Sequence, residues 1–191
     1  RIAFHQGDIR SLPFDDATFD AAMVNQVLHH LESGAEADYP GHRTAIAEIH
    51  RVLRPGGILT IHFCDHDQLQ DGFWFYRLIP RGCAAALARC ASSTHLDAIF
   101  EDLGFEIVDR VVPKDQILMG AAYFEGRGPL DQAWRNGDSV WALAPADELT
   151  DAIAKVESLV TDDRLDEFVA AGDADRPRVG QFTVLVARKP N

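Results

Sequence analysis

His29 and His30 are the residues in this chain best suited to move a proton near neutral pH, because an unperturbed imidazole titrates at roughly 6.5. They are adjacent, and neighbours on a helix point about 100° apart, so at most one can face a given site. Asp8 follows Gly7 at the end of one strand-like segment, and Asn25-Gln26 ends another. In doubly wound sheets ligands bind outside the carboxyl ends of strands, which makes these polar residues binding candidates. Each has a structural alternative: Asp8 as the cap of the turn that follows it, Asn25 as the start of a turn. His62, Cys64 and His66 alternate and could share one side of a strand. Their spacing matches no standard zinc pattern and Cys64 suits a small buried position, so no metal is expected.

The elements that must position these residues read as an alternation of strands and helices. Residues 2–6 read as a short strand, 11–18 as a loop and 19–24 as a strand buried on both faces. A short helical stretch begins at Val27, Leu28 and Leu31. Ala45, Ile46, Ile49, Val52 and Leu53 have helical spacing across 42–53. Pro55-Gly56-Gly57 stops that helix and turns the chain into a strand over 58–64. Residues 68–90 read as helical with a break near Pro80. A Ser- or Thr-capped helix over 95–103 ends at Gly104 and leads into a strand at 105–112. Segment 118–141 gives no clear pattern. A helix is expected over 145–160, a short one within 161–178, and a final strand over 181–188. This order predicts an α/β fold with a mainly parallel sheet and flanking helices. Arg51 and Arg54 read as solvated charges.

The chain has 191 residues, enough for one domain with a sizeable core. No internal repeat or linker divides it. It is 47% hydrophobic and 25% charged, with a net charge of −12. That balance argues against a general nucleic-acid or anionic-membrane surface, which needs clustered Lys and Arg. No stretch is apolar enough to span a bilayer. Cys64, Cys83 and Cys90 are an odd number without paired spacing, as expected of reduced thiols in the cytoplasm.

One further pattern joins these segments. Gly7-Asp8, Leu12-Pro13-Phe14, Asp15-Asp16, Phe19-Asp20, Leu28-His29-His30 and Arg51-Val52-Leu53-Arg54-Pro55-Gly56-Gly57 occur in that order. The set resembles the class I S-adenosylmethionine (SAM) dependent methyltransferases, in particular the ubiquinone/menaquinone-biosynthesis type. The resemblance covers roughly residues 4–64 and extends to about 112. It implies a Rossmann-like sheet and SN2 methyl transfer from SAM to a small-molecule acceptor. It implies that Asp8 accepts a hydrogen bond from the adenine amino group, that the Ile9 N–H meets a ring nitrogen, and that Asn25 and Gln26 lie beside the methionine part. His30, or less readily His29, would act as base or orient the acceptor. Phe73, Trp74 and Tyr76, in Gly72–Tyr76, would line an apolar acceptor pocket under a lid, with core packing as the alternative.

The resemblance also implies what is not in the chain. The family's glycine-rich loop and ribose-binding acid lie upstream of such a segment, and its strand order is 3-2-1-4-5-7-6. The expectation is therefore a single, partial methyltransferase domain over 1–191 that lacks the first strands, with a lid or insert at about 65–92 and a C-terminal extension at about 113–180. The strand at 19–24 would be an exposed edge through which copies could pair. SAM binding by these residues alone would be weak. Alternatives from other classes are a non-catalytic relative used for binding, an inactive fragment, and another Rossmann-like enzyme such as a nicotinamide dehydrogenase.

Overall fold

In the computed structural model, which describes residues 2–32 and 38–191, contacts divide the chain into two compact units. One comprises residues 1–63, 89–111 and 183–191, the other residues 64–88 and 112–182.

The first unit is built on four strands: β1 (Phe19–Asn25), β2 (Leu53–Phe63), β3 (Glu106–Val111) and β4 (Thr183–Arg188). Their order across the sheet is β1-β2-β4-β3. β1 pairs parallel to β2, whereas β4 runs antiparallel to both β2 and β3. The expected mainly parallel sheet is therefore corrected to a mixed one. β1, β2 and β3 point the same way, and the last strand inserts between β2 and β3 in the opposite sense. β1 is an edge strand, as anticipated.

Side-chain alternation on these strands puts one face into the core. Leu59, Ile61 and Phe63 of β2 and Leu185 and Ala187 of β4 are buried there. They pack with Ala45, Ile46 and Ile49 of the Pro40–Val52 helix and Leu96, Ile99 and Phe100 of the Ser93–Asp102 helix. The second helix starts two residues before the expected His95, because the Ser92 side chain accepts the His95 N–H and caps it. On the other face Met23 is 68% exposed.

Between the first helix and β2 the chain needs no separate loop. Leu53 already lies in β2, and Gly56 takes φ +77° so that its N–H reaches the Lys189 carbonyl at 2.8 Å. Residues 2–6, expected as a strand, form none. Ile2 and Phe4 are 81% and 92% exposed, and a strand with no neighbour has nothing to accept its ladder bonds.

The second unit is helical. The helical stretch expected over 68–90 with a break near Pro80 is three pieces: an α-helix His66–Asp71, a 3-10 turn Trp74–Leu78 and an α-helix Pro80–Leu87. One break falls at Ile79, next to Pro80 as expected, and a second at Gly72-Phe73. Pro80 begins a helix rather than interrupting one, since its missing N–H is not needed in a first turn. The longest helix is Ala146–Thr161, followed by Leu165–Asp173. Trp74, Phe75 and Tyr123 are fully buried in this unit, and the Trp74 indole N–H donates to the Tyr123 carbonyl at 2.8 Å. Among the described residues no helix is long and apolar enough to cross a membrane.

Candidate cofactor site

The first unit places the candidates on two turns. Gly7 leads into a tight turn in which the Ser11 N–H donates to the Asp8 carbonyl at 3.0 Å. The Asp8 carboxylate accepts the Arg10 backbone N–H at 2.9 Å. It also takes the Arg10 guanidinium as a fork, Nε to Oδ1 at 3.0 Å and an Nη to Oδ2 at 2.8 Å. These bonds hold its pKa down to about 2, so it is an ionised acceptor at any physiological pH. Asp8 thus does cap its own turn. Ile9 is partly buried and packs against the core of the unit.

The second turn follows β1. Asn25 is exposed at its carboxyl end, in register with His62 of β2. Gln26 takes φ 52°, a left-handed conformation, and its N–H donates to the His62 carbonyl at 3.1 Å. That reversal starts the 3-10 turn Leu28–Leu31, anchored by buried Leu28. The rings of His29 and His30 lie 4.0 Å apart. His29 is half-buried, and burial, reinforced by His30, His42 and Arg89, pushes its pKa down to about 4. His30 is exposed, so the two adjacent histidines differ in environment as the helical geometry requires.

The two turns meet. Arg10, His30, Leu31, Glu32, Pro40, Gly41 and Thr44 line one open cleft of about 460 Å³. Glu32 in that lining belongs to a buried pair that sequence reasoning did not find. Glu32 and His42 have side chains each 2% exposed. Glu32 Oε1 accepts the His42 backbone N–H at 3.1 Å and lies 3.0 Å from His42 Nδ1. Burial drives the His42 pKa down, with Glu32 opposing, so the ring is neutral and donates Nδ1–H to the carboxylate. Nothing in the spacing of Glu32 and His42 signals this contact.

Arg51, read from the sequence as a solvated charge, is corrected. Its guanidinium bonds the Phe14 and Leu12 carbonyls at 2.8 and 3.1 Å, Asp16 at 2.7 Å, and both oxygens of Glu48 at 3.0 and 2.9 Å. Arg54 is half-exposed and pairs with Asp20 at 2.5 Å.

The other candidates lie in the second unit. Phe73, Trp74 and Tyr76 are all at most 5% exposed, and the Tyr76 hydroxyl donates to Asp138 Oδ2 at 2.8 Å. They form a contiguous aromatic cluster: Phe73 and Tyr76 rings lie 4.7 Å apart, and Trp74 and Phe75 rings 5.5 Å. Among the described residues no group of three His, Cys, Asp or Glu side chains has the geometry to hold a metal.

Known proteins resemble this chain in sequence and in fold. Residues 1–61 match a family model described as a methyltransferase domain. An O-methyltransferase of Penicillium expansum is 29% identical over 137 residues, covering 67% of this chain and 42% of that protein. A Mycolicibacterium smegmatis protein named a probable S-adenosylmethionine-dependent methyltransferase is 27% identical over 171 residues, covering 85% and 56%. The chain therefore spans roughly half the length of these relatives. Among solved structures, a protein of Anabaena variabilis described as a methyltransferase from an antibiotic biosynthesis pathway superposes with a TM-score of 0.71. It is 17% identical and the match covers 95% of this chain and 71% of that one, a likeness of fold. These matches are to methyltransferases: the family model covers the first third of the chain, and the structural likeness is one of fold. They do not single out the quinone-pathway type.

Proposed function

We propose that the protein carrying this chain transfers a methyl group from SAM to a small-molecule acceptor. The observation that carries this reading is that Arg10, the partner of Asp8, and His30, in the 3-10 turn after β1, line one cleft. The residues on those turns suit the cofactor. An ionised carboxylate at Asp8 is an acceptor for an adenine amino group, and the Ile9 N–H follows it directly. Asn25 and Gln26, at the carboxyl end of β1, would set amide oxygens beside a sulfonium, whose positive charge they stabilise.

SAM, when bound, supplies an electrophilic methyl group. The protein's own part is to hold donor and acceptor in line and to keep water away. His30 is the better candidate for taking a proton from a hydroxyl or amine acceptor, because it is exposed to the cleft. His29, whose conjugate acid has a pKa of about 4, is too weak a base for that work and serves as packing. Phe73, Trp74 and Tyr76 are buried against one another, so we read them as core packing of the second unit, the alternative to an acceptor pocket. The named O-methyltransferase relative supports a small-molecule acceptor, and the three cysteines, none in a disulfide, suit a reducing cytoplasm.

The test is formation of S-adenosylhomocysteine from SAM with a panel of phenolic, carboxylic and amine acceptors. Turnover that falls at least tenfold in His30→Ala with unchanged SAM affinity is expected if the acceptor must lose a proton. Turnover unchanged in that variant removes His30 from the chemistry.

A further inference from the structure

The two sequence segments that carry the family likeness are tied to each other by side chains. Leu12-Pro13-Phe14 lies in the loop after the Asp8 turn. Glu48 and Arg51 lie on the last two turns of the Pro40–Val52 helix, three residues apart. The Leu12 N–H donates to Glu48 Oε2 at 2.9 Å, and the Leu12 carbonyl accepts from Arg51 at 3.1 Å. The residue is therefore gripped through both its backbone groups. Arg51 also holds the Phe14 carbonyl, and Glu48 holds Arg51 through both of its oxygens. The Phe14 ring meets the Phe19 ring of β1 edge-on at 4.9 Å, which fixes the loop from its other side. Glu48 stays ionised and Arg51 stays cationic because each stabilises the other's charge.

We propose that Glu48 and Arg51 are positioning residues for the adenine end of the cofactor. They touch neither cofactor nor acceptor in the proposed site. They fix Leu12, and Leu12 is joined through Ser11 to the Asp8 carbonyl, so the clamp sets where the Asp8 carboxylate points. The Asp8–Arg10 pair is exposed and contributes little order of its own, and the Ser11–Asp8 bond and Ile9 packing hold the turn's backbone from one side only. The clamp supplies the missing constraint from a rigid helix. This inference rests on the reading of Asp8 as the adenine contact.

The experiment uses the full-length protein and two readouts. The first is amide hydrogen exchange, which follows the clamp itself. Arg51→Gln and Glu48→Gln should raise exchange at Leu12 and leave the β2–β4 ladder amides as they are. Arg51→Lys, which keeps the charge without the fork, should behave like Arg51→Gln. The second is calorimetric affinity for SAM in a double-mutant cycle with Asp8→Ala. Arg51→Gln should weaken SAM about tenfold, the worth of one hydrogen bond. It should add nothing further in the Asp8→Ala background. Unchanged Leu12 exchange overturns the clamp whatever SAM does. Raised exchange with unchanged SAM affinity, or fully additive losses, overturns the positioning role and leaves a structural brace. Wild-type protein that binds no SAM overturns the cofactor reading and this inference with it.

Discussion

His29 gives the structure a defined weakness toward acid. Its ring is half-buried beside His30, with Arg89 adding positive charge, and its pKa is pushed from the ordinary 6.5 to about 4. A depressed pKa means that the unfolded chain takes up the proton first. The stabilisation is therefore fully present above pH 6.5 and is lost as pH falls through 6.5 toward 4. Linkage over that interval amounts to about 2 kcal/mol lost between pH 8 and pH 5, and about 3 kcal/mol by pH 4. His42 and His50 are also held neutral by burial and contribute with the same sign, so the wild-type curve alone does not isolate His29. The perturbation that does is His29→Asn, which removes the titration and keeps a polar side chain. Urea denaturation of both proteins at half-unit steps from pH 8 to pH 5 gives the two curves. The variant is expected to be less sensitive to acid by about 2 kcal/mol across the interval. Curves that run parallel would show that His29 titrates normally in the fold, and the argument against it as a weak base would go with that result.

Three further expectations concern the frame of the site. The Lys189 ammonium donates to the His50 and Leu53 carbonyls at 2.7 and 2.8 Å and so closes the end of the Pro40–Val52 helix; Lys189→Ala should cost about 1–2 kcal/mol in urea denaturation, and a cost below a few tenths would mean that water replaces it. A Cβ at Gly41 would stand 2.7 Å from the Leu31 carbonyl oxygen and 2.8 Å from Glu32 Oε1. Gly41→Ala should therefore destabilise by about 1–3 kcal/mol and perturb the His42 ring resonances in NMR; unchanged resonances would show that the Glu32–His42 pair is not strained by it. Ile61 is fully buried at the centre of the first unit's core. Ile61→Ala should cost about 2–5 kcal/mol by the same denaturation assay, and a loss under 1 kcal/mol would place Ile61 outside the core.

The parts of the fold set by local pattern were legible in the sequence. β1, β2 and β4 follow from runs of apolar residues, and the Pro40–Val52 and Ser93–Asp102 helices from period and caps. What was not legible depends on partners distant in sequence. Residues 2–6 have strand composition but no neighbouring strand. The sense of β4 cannot be read from its own six residues, because either direction buries Leu185 and Ala187. Gly72 ends one helix and Pro80 begins another, and composition alone marked only the break at the proline. At the site, Asn25 was proposed from its strand end and His30 from its imidazole chemistry, whereas Asp8 was proposed as the end of a strand that does not form. Arg51 was misread because its partners are the carbonyls of Leu12 and Phe14, and backbone acceptors leave no trace in sequence spacing. Glu32 and His42 were missed for a related reason: a buried acid–histidine pair ten residues apart looks like two ordinary surface residues until the helix start at Pro40 folds them together.

The central claim is that the Asp8 turn and the turn after β1 form the adenine and methionine walls of a SAM site. Titration calorimetry of SAM into the full-length protein and into its Asp8→Ala form tests it most directly. A loss of affinity of about tenfold or more in Asp8→Ala is expected, since a charged acceptor is removed from a hydrogen bond. Equal affinity in the two proteins would contradict the assignment and remove Asp8 from the site.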